Sequence, residues 1–135
     1  MPLVREGRDI ISRLLTSTGA ATTPGQRHYD STGAYIFVGA ATCPHTATST
    51  WLDGTSKAGK LMDAGFPETS SSGLMRFRST FATNEANFPW NQWLIANATV
   101  SSTGTPMNLK TEDPSLGTKP NTQTWQFTAE VQVTT

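Results

Sequence analysis

The stretch GTSKAGKL, Gly54 to Leu61, comes within one residue of a phosphate-binding loop. A glycine, four residues, then Gly59 and Lys60 reproduce the spacing that lets backbone N–H groups cradle a phosphate beside a lysine. The next position must supply a hydroxyl for magnesium, and it holds Leu61. Such a loop also leaves a buried strand and opens a helix. Here TATSTWLD precedes it, and Met62 to Pro67 make a poor helix start. Cys43 and His45, two apart in CPH, offer two soft ligands. Zinc takes three or four, and the one other histidine is His28. The pair therefore reads as a loop thiol and a solvated imidazole.

Nucleophilic catalysis needs a serine, a histidine and an acid brought together by the fold. Serines are plentiful here, so their presence selects nothing, and no GxSxG elbow marks one out. A glycosidase needs a carboxylate pair. Glu68, Glu85, Glu112 and Asp113 are candidates, but nothing in their spacing selects two of them. Glu112 and Asp113 are adjacent and would point to opposite faces of a strand. Asn97-Ala98-Thr99 fits a glycosylation acceptor, which is inert without secretion. These residues assign no catalytic, metal or cofactor-binding role, and the expectation is a protein that is not an enzyme.

FATNEANFPWNQWLIANA, Phe81 to Ala98, sets two tryptophans and two phenylalanines among asparagines. Rings beside amides suit a sugar platform, and they suit equally one end of a packed sheet. In a strand, residues three apart face opposite sides. Trp90 and Trp93 then cannot both lie on one open face. Trp93 and Ile95 share a side that reads as core, while Phe88 and Trp90 share the other, as a corner closed by aromatic packing. Strand geometry favours the structural reading.

The elements that must position these groups follow from composition and periodicity. The chain has 135 residues, enough for one domain. Lys plus Arg is 10 and Asp plus Glu is 10, a net charge of zero, which argues against bulk electrostatic binding to nucleic acid or anionic membrane. Charged residues make up 15% of the chain, against roughly 25% in average proteins. Threonine-rich, charge-poor sequence suits half-buried strands better than amphipathic helices. The single cysteine excludes an intrachain disulfide, and no apolar run reaches the roughly 18 residues of a membrane span. MPLVREGRDI is charged where a signal peptide needs an apolar core, so the expectation is synthesis in a cytoplasm without export by that route.

Pro2 to Thr16 reads as the one helix, with Leu3, Val4, Ile10, Ile11, Leu14 and Leu15 at helical spacing. It would either dock on a partner or pack on its own domain. AYIFVG, Ala34 to Gly39, reads as a short buried strand, and Cys43 to Glu68 as mostly loop. In LMRFRSTF, Leu74 to Phe81, Met75, Phe77 and Phe81 alternate with Arg76 and Arg78. Trp90 to Ala98 and MNLKT read as further strands, and DPSLGTKPN, Asp113 to Asn121, as a loop. The clearest pattern is TWQFTAEVQV, Thr124 to Val133. Trp125, Phe127, Ala129, Val131 and Val133 alternate with polar residues without a break. The fold class expected is mainly β, an antiparallel β-sandwich with one N-terminal helix or arm. Residues 1–18 would form the arm and 19–135 a single sandwich domain. Its expected core holds Phe77, Phe81, Trp93, Ile95, Trp125, Phe127 and Val131.

MRFRSTFATNEANFPWNQWLIANA and SLGTKPNTQTWQFTAEVQV resemble a group of small structural proteins of tailed bacteriophages. Those proteins pair an Arg-Phe-Arg strand with a Thr-Asn-Glu-Ala-Asn-Phe turn. A Trp-Asn-x-Trp strand ending in Asn-Ala follows, and Ser-Leu-Gly-Thr-Lys precedes a Trp-containing alternating strand. KLMDAGFP and AYIFVG also match in kind, so the resemblance covers most of the chain from Val4 onward. It departs at Leu94, Ala96, Pro89 and the stretch NLKTEDP. The resemblance implies a virion structural protein with a β-sandwich core, assembled in the host bacterial cytoplasm and needing no cofactor. The leading expectation is a capsid decoration, or cement, protein that bridges neighbouring shell subunits. Its partners would be the major capsid protein or neck and tail proteins. It would also meet copies of itself, with trimers suiting three-fold points. The alternatives are a neck, tail or fibre accessory protein, or a carbohydrate- or receptor-binding module on the virion. The helical segment would dock on the particle, so deleting Met1 to Leu15 is expected to weaken attachment.

Overall fold

The computed structural model describes residues 15–16, 28–46, 49–70, 73–99 and 105–133. Among them run seven strands: β1 Tyr35–Gly39, β2 Lys57–Leu61, β3 Glu68–Thr69, β4 Leu74–Phe81, β5 Gln92–Ala96, β6 Pro106–Thr111 and β7 Trp125–Gln132. They form a four-stranded sheet ordered β2-β1-β5-β6 and a three-stranded sheet ordered β3-β4-β7. Every strand pairing is antiparallel. The chain builds a hairpin in the first sheet, crosses to make one in the second, returns for β5 and β6, and crosses again to lay β7 beside β4. The protein is mainly β, and its two sheets are consistent with a β-sandwich.

Alternation in β4 and β7 explains how the second sheet sits. Met75, Phe77, Ser79 and Phe81 are buried, while Arg76, Arg78 and Thr80 look outward and are only partly covered. In β7 the inward residues Trp125, Phe127, Ala129 and Val131 are half-buried or buried, and every residue between them is exposed. The main core cluster draws on both sheets: Ile36, Val38 and Ile95 from one, Met75, Phe77, Phe81 and Ala129 from the other. Full burial of a large apolar side chain stabilises by about 1.5–3 kcal/mol, so these residues hold the sheets together. Ser79 sits among them fully buried, its hydroxyl 3.1 Å from the carbonyls of both Lys60 and Leu61. That shared donor fixes β4 across the end of β2 without leaving a buried polar group unpaired.

The four-stranded sheet is covered on both faces. Ile36 and Val38 of β1 enter the main core, while Phe37 faces the other way into a second cluster with Leu52, Leu94 and Ala96. Trp51, Tyr35 and Leu109 pack against that cluster. β1 therefore reads as a continuous apolar run rather than an alternation, as a strand buried on both faces should. The covering layer comes from the segment around Trp51 and Leu52, which the sequence pattern marks only as loop.

Two expectations need correction, and one is incomplete. Cys43 to Glu68 is mostly loop, but it also holds β2 and the first residue of β3. KAGKL carries no apolar alternation, since the cover of β2 comes from a neighbour: the Phe37 ring lies over Gly59, its register partner. Trp90 is not part of a strand, and β5 starts at Gln92. Trp90 and Trp93 thus do not take opposite faces, and both pack on the main core. Of the expected core, Phe77, Phe81 and Ile95 are fully buried, and Trp93, Trp125, Phe127 and Val131 are half-buried against the same cluster. The expected N-terminal helix lies outside the described residues except for its last two positions. Leu3, Val4, Ile10, Ile11 and Leu14 fall there, whereas Leu15 packs against the core and its carbonyl accepts the Tyr29 N–H at 2.7 Å.

Candidate functional site

Cys43 and His45 lie on the segment leading from β1 towards Trp51, beside Asp53. Gln92, at the start of β5, is fully buried and donates from Nε2 to the Cys43 carbonyl at 2.8 Å. Thr111 of β6 donates to the same carbonyl at 3.0 Å, so the sheet pins this segment down. The exposed Cys43 thiol donates to Asp53 Oδ2 at 3.1 Å. That bond, which only the protonated thiol can make, is the main cause holding the thiol pKa above its ordinary value. His45 is not the solvated imidazole expected. Its side chain is 6% exposed, with Nδ1 3.8 Å from Asp53 Oδ2 and neither ring nitrogen hydrogen-bonded. The order is thiol, carboxylate, imidazole. A nucleophilic triad needs the imidazole between the other two, taking the thiol proton. Among the described residues, no group of three or more His, Cys, Asp and Glu is placed to hold a metal ion.

The near-phosphate loop is an extended strand. Lys57 to Leu61 pairs residue for residue with Gly39 to Tyr35, so its N–H groups run along a sheet instead of curling round an anion. Lys60 Nζ bonds both carboxylate oxygens of Glu85, at 2.6 and 2.9 Å. Of the candidate carboxylates, Glu85, Glu68 and Glu112 each bond a different residue, Lys60, Arg76 and Trp93. Glu68 and Glu130 flank Arg76 in one row across β3, β4 and β7. Asp63 accepts from Arg78 at 3.0 Å and from Thr80 at 2.7 Å, and the Arg78 guanidinium stacks 4.2 Å over Phe66. Glu112 accepts from Trp93 Nε1 at 2.8 Å and faces Lys110 at 3.0 Å. The bond from Trp93 is the main reason its pKa lies below the ordinary carboxylate value. Asn97 is buried and its side-chain oxygen accepts from the Thr105 N–H at 2.7 Å, which removes it from the surface a glycan needs.

The aromatic stretch and the SLGTK segment interlock. TNEANF turns through Ala86, whose φ of 53° is left-handed. The Ala86 carbonyl accepts Trp90 Nε1 at 3.0 Å. SLGTK docks on this turn in strand fashion. Trp90 N donates to Gly117 O at 2.8 Å, Leu116 N to Trp90 O at 3.0 Å, and Pro89 bridges Thr118. Lys119 completes the joint. It is 1% exposed, and its Nζ reaches Asn87 Oδ1 at 2.8 Å and the Pro120 carbonyl at 3.4 Å.

Below this joint the rings meet edge to face or tilted. Trp90 lies 5.0 Å from Phe81 and 5.2 Å from Trp125, and Phe127 is 5.2 Å from Trp93 and 6.1 Å from Trp90. A saccharide platform presents a flat ring face to solvent. Here Trp90 is 2% exposed and Trp51, Trp93 and Trp125 are half-buried. Shallow depressions lie elsewhere. One of about 370 Å³ is lined by Glu68, Thr69, Ser70, Leu74 and Arg76, and another of about 440 Å³ lies between Ser49-Thr50 and β6. No family model, curated protein or solved structure matches the chain.

Proposed function

We propose that the protein is a structural component of a tailed-bacteriophage virion, a decoration protein that binds the shell and bridges neighbouring subunits without catalysis. The observation that carries this reading is the resemblance of TNEANFPWNQW and SLGTK to phage structural proteins, together with what those segments do here. They lock to each other through Lys119, Trp90 and Gly117. A β-sandwich with an N-terminal docking segment fits such a role. A rigid domain held at many equivalent points needs only a weak contact at each, because multivalency multiplies residence. The hydroxyl-rich, charge-poor composition suits hydrogen-bonded and water-bridged contacts rather than ion pairing.

The test is location. Antibody raised against the purified chain should label purified phage particles of the strain encoding it, over the capsid surface in electron micrographs. Label confined to the neck or tail would favour the accessory-protein alternative. Absence from particles that are otherwise complete would overturn the virion reading.

A further inference from the structure

The two sheets have four edge strands, and three of them carry features that discourage pairing with another chain. β3 is two residues long. β2 carries Lys57 and Lys60. β6 starts at Pro106, carries Lys110, and has a register shift opposite Ile95 and Ala96. Proline, lysine, irregularity and shortness are the devices that keep sheet edges from pairing. β7 has none of them. It runs eight residues, pairs with β4 in unbroken register, and contains no proline, glycine or lysine. Its one charge, Glu130, is held by Arg76. Among the described residues its hydrogen-bonded strand neighbour is β4 alone. Its inward apolar side chains Trp125, Phe127 and Val131 are only half-buried.

We propose that β7 is a self-association seam: β7 of a second copy adds to it antiparallel, about a two-fold axis at Thr128. The two three-stranded sheets then become one six-stranded sheet. Keeping both inner faces on one side requires odd residues to meet odd residues. Centring on Thr128 does this and sets Trp125 against Val131 of the second copy and Phe127 against Ala129. These are aromatic–β-branched and large–small cross-strand pairs. On the outer face Gln126 meets Glu130 and Thr128 meets Thr128, so no like charges oppose. The chain's zero net charge leaves no long-range repulsion between copies. A seam of one strand pair is smaller than a standard interface, so the dimer is expected to form in the micromolar range. The inference stands apart from the virion reading, and it favours two-fold over three-fold association.

Sedimentation velocity on the full chain, from low micromolar to several hundred micromolar, tests it. The mass should rise from 14.5 kDa towards twice that value. Thr128→Lys sets two lysines face to face on an exposed position and should weaken dimerisation about tenfold or more. In a Cys43→Ser background, Thr128→Cys should lock the dimer as a disulfide on mild oxidation. Thr122→Cys, in the exposed turn before β7, should not. Far-UV circular dichroism checks that each variant folds. A chain that stays monomeric throughout, a dimer that Thr128→Lys leaves intact, or failure of Thr128→Cys to lock it overturns the seam.

Discussion

Single side chains decide how the aromatic corner holds and how the fold responds to acid. Lys119 is buried with its ammonium on the Asn87 amide oxygen, so its charge serves to join two turns. Lys119→Met keeps the length of the stem and leaves that oxygen without its donor. Asn87 is itself exposed, so water can take the donor's place, and we expect a loss of about 0.5–1.5 kcal/mol in urea unfolding, the net worth of one hydrogen bond. Glu85 and Glu112 both sit below the ordinary carboxylate pKa of 4.5, chiefly through Lys60 for the first and Trp93 for the second. A carboxylate depressed in the folded state binds its proton more readily when unfolded. Its contribution is therefore complete above about pH 4.5 and is lost as pH falls through the lower folded values. Trp93→Phe removes the main cause at Glu112. The drop in urea midpoint between pH 7 and pH 3 should then be smaller in the variant than in the parent. Equal drops would show that the indole bond does not set this titration.

At the level of elements, strands that alternate are legible and strands that borrow their cover are not. β4 and β7 follow their sequence patterns almost residue for residue, because each has one face on the core and one in water. β2 carries no such pattern because the Phe37 ring from β1 supplies its cover. A Cβ on Gly59 would come within 2.4–2.7 Å of that ring. The ring is itself packed edge-on against Trp51 at 5.1 Å and has little room to move. Gly59→Ala should cost about 1–3 kcal/mol by overpacking, read as a lowered urea midpoint with unchanged slope. Trp90 lies outside any strand and yet is the most buried indole, touching Phe81, Trp125 and Phe127. Truncating it to alanine should cost about 3–5 kcal/mol, whereas an iodide-accessible Trp90 in fluorescence quenching would contradict the buried corner.

For the whole molecule, the question is where the domain ends and any docking segment starts. Leu15 belongs to the domain by its contacts, since it packs on the core and its carbonyl holds Tyr29. A chain starting at Leu15 should keep the parent's thermal midpoint to within a few degrees. One starting at Thr16 should melt lower, because it loses a core contact as well as a backbone bond. If residues 1–14 dock on a particle, the first truncation already weakens attachment while the domain stays folded. Full attachment by that truncated chain would remove the docking role from this segment.

Composition and periodicity alone determined that the chain is built of antiparallel strands, which residues of β4 and β7 turn inward, and that β1 is buried. Those properties are local: they depend on which neighbours along the chain are apolar and at what spacing. Tertiary structure alone decided that Trp90 and Trp93 converge on Phe127, that Phe37 roofs Gly59, and that Lys119 reaches Asn87. It also decided that His45 is enclosed beside Asp53 and that, among the described residues, β4 is the one strand neighbour of β7. Each of these joins residues distant in the chain, and no pattern of spacing encodes which distant surfaces will meet.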